Sequence, residues 1–455
     1  MNESSNKISR RNFLSTTGMV IGGSVISHPV SSLFAGKPQI GKKRLAIVGT
    51  GHRATGMFGR KLKKEYSNYI QYVGLCDINP GRVKYAREYI GVDCPVFTDF
   101  DKMVKATKPE ILLVTTVDST HHEYIIKGLE YGLKVITEKP MTTDEVKAQD
   151  ILDAERRTGN KAIVSFNYRY SPHRTRIKEL LMEKAIGDIR SVDFHWYLNT
   201  EHGPRYFRRW HGMRDKGGTL LVHKSTHHFD LLNWWLDSDP EEVFGHGALE
   251  YFGENGSFRS QKCRGCPHKD KCKFFYDITK HKHYMGLYVE NEKYDGYLRD
   301  GCIWRNKIDI FDKMSVLIKY ANKVQVTYSL TTISPYEGYR IAFNGTKGRL
   351  ETWIHEKQPW PKENYDELRL TRNFGETELI QIPHAEGGHG GGDIRLKDKL
   401  FKDPEMPDPL KQSAGTRDGV MSVLIGVAAR KSIDTGKPIR IADLTELKPQ
   451  AKRTV

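Results

Sequence analysis

Short apolar runs at 45–48, 70–76, 111–115, 134–137 and 163–166 punctuate the chain between 42 and 165, separated by longer segments of mixed polarity. Each run is mainly apolar rather than strictly alternating, the pattern of a strand covered on both faces. Such runs in alternation with helical segments predict a doubly wound, parallel α/β sheet over 42–165. Beyond it the pattern changes. A helical stretch at 174–184 leads to a strand at 189–196, and alternating residues return as strands between 309 and 332. Further strands at 341–343 and 349–353 flank the turn Asn344-Gly345-Thr346-Lys347-Gly348. A second domain is therefore expected over 166–410, carrying a cysteine-bearing insert at 251–305. A last helix at 415–432, within a 411–455 tail, has small residues on a packing face and is expected to dock back on the first domain.

The first run ends in Gly49-Thr50-Gly51-His52-Arg53-Ala54, the pattern G-x-G-x-x-A. The first small residue permits a sharp strand-to-helix turn, the second lets backbone approach a pyrophosphate, and the third allows close helix packing. An ordinary turn can carry the same glycines. The second run ends in Asp77, where a carboxylate can accept from the adenosine ribose hydroxyls and would repel a 2′-phosphate. The cofactor expected is thus NAD rather than NADP, with a solvated acid in Asp-Ile-Asn-Pro as the alternative. At the carboxyl ends of the next strands, the edge where such sheets bind ligands, stand the loop from Thr116 to His121 and the triplet Glu138-Lys139-Pro140. Proline holds the residue before it extended, which can aim Lys139 into the crevice.

These motifs, followed by Asn167-Tyr168-Arg169-Tyr170, occur in the order seen in the glucose–fructose oxidoreductase, inositol dehydrogenase and rhizopine catabolism superfamily, which the chain resembles over nearly its whole length after the amino-terminal segment. The resemblance implies an N-terminal Rossmann domain, then an α/β domain with a large, open, mostly antiparallel sheet. It also implies hydride transfer between nicotinamide and a sugar or cyclitol carbon, with Lys139 touching both substrate and cofactor. Gly49, Thr50, Gly51, His52, Arg53, Ala54, Asp77, Thr116, His121, Glu138 and Lys139 are the expected cofactor contacts. Asn167, Arg169 and Tyr170 are expected on the substrate side. The large sheet is a surface often used for pairing subunits, so a homo-oligomer is expected.

The polar segment 199–214 holds His202, Arg205, Arg208, Arg209, Trp210 and His211. Aromatics beside hydrogen-bonding cations suit a sugar, with its apolar face and rim of hydroxyls, although a solvated basic loop has the same composition. His202 and Arg205 are the substrate contacts expected from it. The stretch from Gly217 to Asp230 resembles the family helix G-G-G-x-L-x-D-x-G-x-H-x-x-D. His227 matches the family histidine and Asp230 the last acid, but His223 stands where the family has its catalytic aspartate. Four apart on a helix, His223 and His227 would share a face, as a base and its neighbour or as ligands of a divalent metal completed by His202, His211 or His389. Lys139, His227 and His223 are the catalytic candidates. Lys224 and His228 are expected to bind substrate or to be merely packed, and His389, in the glycine-rich 387–392, is a further substrate contact.

Cys263, Cys266, Cys272 and Cys302 have compact ligand spacing. Four thiolates can close a structural zinc site, two disulfides are an alternative, and an iron–sulfur cluster comes third. The chain has 72 Lys and Arg against 56 Asp and Glu, a formal +16, yet the charges are scattered, which speaks against nucleic acid and leaves a soluble basic surface or attraction to anionic sugars and envelope polymers; a small-molecule carbohydrate is the partner the resemblance implies. Ser9-Arg10-Arg11-Asn12-Phe13-Leu14 ahead of a modestly apolar run resembles a twin-arginine export signal, taken as 1–35, and predicts a periplasmic protein without an integral membrane segment in its mature part. Free NAD is not expected outside the cytoplasm, so the cofactor would be tightly bound and recycled in place. The activity expected is oxidation of a secondary hydroxyl of a sugar, glycoside or cyclitol. A glycosidase working by oxidation, elimination, hydration and reduction needs the same groups, and a sugar-binding protein without turnover would explain His223.

Overall fold

The computed structural model describes residues 41–453, so the twin-arginine segment lies outside the described residues. The first sheet is built from β1 (Lys43–Val48), β2 (Ile70–Cys76), β3 (Val96–Phe97), β4 (Ile111–Val114), β5 (Lys134–Thr137) and β6 (Ala162–Val164), all paired in parallel. Their order across the sheet is β6, β5, β4, β1, β2, β3. β4 is buried at every position, which is why its sequence is a continuous apolar run.

The second sheet takes β7 (Ile189–Asn199), β8 (Pro240–Ala248), β9 (Lys313–Tyr320), β10 (Gln325–Ser334), β11 (Glu337–Gly345), β12 (Gly348–Lys357), β13 (Tyr365–Arg372) and β14 (Thr377–Pro383). Two short strands finish the sheets: β15 (Ala414–Gly415) pairs antiparallel with β6, and β16 (Ile439–Arg440) with β8. The nine-stranded order is β14, β13, β12, β11, β7, β10, β9, β8, β16, and only β7 with β10 is parallel. β9 alternates exposed and buried residues along its whole length. One face of this sheet is therefore packed and the other open.

Three expectations are corrected here. The last helix, Thr416–Thr435, packs mainly against β8 and the helix Thr226–Leu236, and its docking on the Rossmann domain is the smaller contact, from Gly419 near its start to Lys431, whose Nζ lies 2.6 Å from Glu145 Oε1. Its small residues explain both contacts, since a Cβ on Gly419 would lie 2.6 Å from Met141 Sδ, and one on Gly426 2.3 Å from the Leu221 carbonyl. Second, the stretch 217–230 is not one helix. Thr219 has φ 94° and the chain forms Leu220–His223, a break at Lys224 and Ser225, then Thr226–Leu236, so His223 and His227 share no helix face.

Third, the four insert cysteines are free and are not gathered as a ligand set; among the described residues no group of three or more His, Cys, Asp or Glu side chains is placed to hold a metal. Cys263 and Cys302 are buried, Cys263 Sγ accepting from Arg208 Nη1 at 2.9 Å. The insert has other supports. Asp312 accepts the backbone N–H of Tyr251 at 2.7 Å and of Phe252 at 3.0 Å, Arg264 is tied to Asp300, and Phe252 stacks on Phe207 at 4.1 Å. A small core and a buried ion pair hold the loops that a metal would otherwise have to hold.

Candidate active site

The site lies where the carboxyl ends of β1, β2, β4 and β5 face the second domain. A cleft of about 930 Å³ opens there, lined by Gly49, Gly51, Asp77, Thr116 and, from the far side, Arg209 and Tyr288. Gly49 has φ 85° and a Cβ on it would stand 2.5 Å from Thr116 N, so the turn tolerates no side chain. At Gly51 a Cβ would meet only Tyr288 Oη, at 3.4 Å, which leaves the backbone open to the cleft. Asp77 is buried and takes Thr50 N at 2.7 Å, Thr50 Oγ1 at 3.1 Å and Asn79 N at 2.9 Å, binding the acid to the glycine turn. Ala54 is fully buried in the helix that follows. An open backbone turn with a carboxylate beside it fits a dinucleotide.

Arg53 and Glu138 are committed to each other, Nε to Oε1 at 2.6 Å. His121 corrects its expected role. Its ring is buried between the Pro140 carbonyl at 2.8 Å and the Thr116 carbonyl at 3.2 Å, so it pins two loops together rather than facing the cleft. The Lys139–Pro140 peptide is cis.

Lys139 Nζ donates to the His223 carbonyl at 3.0 Å. Behind His223 stands Asp118, its Oδ2 2.5 Å from His223 Nδ1, both side chains nearly buried. Burial raises the Asp118 carboxyl above its usual value, while burial together with Lys139 and Arg209 holds His223 well below the ordinary imidazole value. The histidine is neutral, Nδ1–H is directed at the carboxylate, and Nε2 makes no hydrogen bond among the described residues. Lys139 is pushed down to about 8, chiefly by burial, with Asp118 and Glu138 opposing the shift. An acid, an imidazole and an amine thus meet at one point. Sequence reading missed Asp118, although the signal was present: an acid in the loop after β4 facing a histidine where an aspartate is usual.

The short turn Asn167–Tyr170 divides its residues. Asn167 Nδ2 donates to Asp393 Oδ1 at 2.6 Å, and the same oxygen lies 2.9 Å from His389 Nδ1, which brings the glycine-rich loop to the site. Gly392 permits the approach, since a Cβ there would lie 2.3 Å from the Asn167 carbonyl. Tyr168, not among the expected contacts, stacks flat on His227 at 4.0 Å. His227 Nδ1 is buried without a partner among the described residues. Lys224 Nζ donates to Tyr168 Oη at 3.1 Å, and His202 reaches Glu337 at 2.6 Å.

Four expected substrate contacts are corrected. Arg169 is 1% exposed and pairs with Asp230 through Nε at 2.8 Å and with Asp418 at 2.8 Å, a buried tie from its turn to the helices Thr226–Leu236 and Thr416–Thr435. Tyr170 packs in the Rossmann core beside Leu396. His228 is fully buried, stacked on Trp196 at 3.9 Å and bonded to Tyr328 Oη at 2.7 Å. Arg205 turns to solvent with Glu201, and Arg209 enters the cleft instead. In each case the residue type suited a sugar, but packing of its neighbours pointed it elsewhere.

Two family models match the chain: an oxidoreductase family's NAD-binding Rossmann fold over residues 43–166, and that family's C-terminal alpha/beta domain over 178–441. The Bacillus subtilis protein YteT is 36% identical over 430 residues, covering 89% of this chain and 99% of its own. An inositol 2-dehydrogenase/D-chiro-inositol 3-dehydrogenase of Lactiplantibacillus plantarum is 24% identical over 201 residues, 44% of this chain and 54% of that one. Among solved structures, the WlbA dehydrogenase of Bordetella pertussis in complex with NADH and UDP-GlcNAcA superposes with a TM-score of 0.60 at 16% identity, covering 88% of this chain and 98% of that one.

Proposed function

The chain belongs to the glucose–fructose oxidoreductase, inositol dehydrogenase and rhizopine catabolism family of NAD-binding oxidoreductases, and from that premise we propose that it oxidises a secondary hydroxyl of a sugar, glycoside or cyclitol with a cofactor that stays bound. The observation that carries this reading is the meeting of Asp118, His223 and Lys139 beside the glycine turn. His223 Nε2 accepts the hydroxyl proton. Asp118 holds the opposite N–H, keeps the ring in one orientation, and stabilises the imidazolium that forms. Lys139 polarises the substrate oxygen, and its carbonyl contact to His223 keeps amine and base at one place. NAD, held at the Gly49–Gly51 turn and Asp77, would supply the acceptor for the carbon-bound hydride, with a second sugar or keto-sugar taking that hydride in the return half of the cycle.

Specificity for a polyhydroxylated ring is supported by His227 Nδ1, His202, Lys224 and the Asn167–His389–Asp393 cluster, with the Tyr168 ring against His227 and His389. The Lactiplantibacillus relative, named as an inositol dehydrogenase, favours the same substrate class. Periplasmic location by the twin-arginine route rests on Ser9 to Leu14, and the proposal of a retained, internally recycled cofactor follows from it. The test is to incubate the purified protein with a panel of glycosides and cyclitols, followed by mass spectrometry for a product two hydrogens lighter and fluorescence for reduced nicotinamide. A light product from any polyol supports the reading. Binding of polyols with unchanged mass and no nicotinamide signal, when NAD is bound, would sink it.

A further inference from the structure

The insert reaches back across the first domain through the segment 282–301. Tyr288 Oη accepts the His52 backbone N–H at 2.8 Å, the amide that opens the helix behind the glycine turn. The Asn291 carbonyl accepts from Asn79 Nδ2 at 3.0 Å. Asp295 takes Arg82 Nη2 at 2.6 Å while Nη1 of the same arginine lies 3.3 Å from Asp77. His283 stacks on Tyr89 at 4.0 Å and bonds Tyr85 Oη at 3.2 Å. The segment is therefore fastened at both ends of the cleft, at the acid that follows β2 and at the glycine turn.

The segment turns Tyr288, Asp295 and Tyr297 to the cleft, and Arg299 backs the Tyr288 ring. The Arg299 guanidinium lies 4.8 Å from the Tyr288 ring centre and 4.9 Å from that of Tyr284. Arg209 approaches it from the second domain; burial first, then Arg299, pull Arg209 down to about 10. Among the described residues neither guanidinium forms an ion pair, and Arg209 Nε is held by the Arg205 carbonyl at 2.8 Å, which aims the fork. Arg209 lines the cleft beside Tyr288, drawn out of water and without a carboxylate partner, so an anion placed there completes it.

We propose that Arg209 and Tyr288, the latter backed by Arg299, form a second wall of the dinucleotide site that grips the cofactor's diphosphate, and that the segment 282–301 is the strap that keeps the cofactor bound through turnover. This rests on reading the cleft as the dinucleotide site. The glycine turn alone offers backbone N–H groups from one side, the arrangement of enzymes that exchange their cofactor freely. Charged hydrogen bonds from the opposite side add affinity that appears in the release rate, and a strap latched at Arg82 and Asn79 must open before release.

The test uses the full mature chain loaded with NAD, and measures nucleotide retained per chain during extensive dialysis and its release rate on dilution into unlabelled NAD. Arg299→Gln and Tyr288→Phe are each expected to release NAD about tenfold faster or more, and Asp295→Asn, which weakens the latch to Arg82, to speed release as well. Tyr288→Phe removes one oxygen, so it serves where Arg299→Gln fails to fold. Wild-type release rates in folded variants overturn the strap and leave the redox reading standing. Weakened binding of acidic sugars with unchanged NAD release assigns the arginines to substrate and overturns the proposal too. A wild-type chain that takes up no NAD overturns both this inference and the reading beneath it.

Discussion

His223 is neutral because burial and two cations make its charged form costly, yet it can take a proton because Asp118 lies 2.5 Å from Nδ1. Replacing Asp118 by Asn leaves the shape nearly unchanged but lets the ring turn to the wrong tautomer and removes the charge that stabilises imidazolium. Asp118→Asn is expected to lower kcat about 100-fold or more with little change in KM, measured by steady-state kinetics beside a melting curve that shows the fold intact. The pH profile follows from the same three side chains. His223 stays neutral throughout the physiological range, so no acid limb is expected near the ordinary histidine value. Lys139 titrates at about 8; below that value it is protonated and polarises the substrate oxygen, above it the charge is lost. With saturating substrate, kcat is expected to fall as pH rises through about 8, and a profile still rising well beyond that value would show that Lys139 acts as a base instead.

At the scale of elements, the break between Leu220–His223 and Thr226–Leu236 is what separates two histidines that four-residue spacing would otherwise superpose. The break lets His223 face Asp118 in the first domain while His227 lies flat on Tyr168. A single undistorted helix could not serve both partners. The glycine turn is the other element that sets the site. With φ 85° and a backbone nitrogen 2.5 Å from where a Cβ would be, Gly49→Ala is expected to cost about 1–3 kcal/mol and to weaken NAD binding, read as a lower melting temperature without ligand and a smaller rise on adding NAD. The same turn was legible from sequence because its cause is local. The cysteine insert was misread for the opposite reason. Ligand spacing is a local pattern, but whether four sulfurs converge depends on Asp312, Arg264 and the Phe252–Phe207 stack, which come from distant parts of the chain.

Across the whole molecule, the second sheet leaves one face open, and a cross-strand row on it runs Leu317, Thr327, Asp193, Ala342, Glu351, Arg369, Leu379. Leu317 and Leu379 are both more than half exposed, and Trp353 nearly half, on a surface of the kind that apolar residues mark for pairing. The expected oligomer would form here: Leu317→Glu should lower the sedimenting mass while leaving the melting curve of the subunit close to wild type. Much of the architecture was written along the chain. Strand burial imposes a composition, a strand-to-helix turn demands glycine, and alternation reports an open face; these constraints act within a few residues, so the Rossmann sheet and its cofactor turn could be read from order alone, while the antiparallel pairing of the second sheet came from the family resemblance. What Arg169, His228 and Asp118 do could not be read so. Arg169 and His228 have side chains that suit a sugar and were drawn into ion pairs and stacks by residues far away in sequence, and Asp118 became part of the site only through a histidine more than a hundred positions on. Residue type limits which interactions a side chain can make; which of them it does make is decided by long-range packing, because burial strengthens the contact that is formed and excludes the rest.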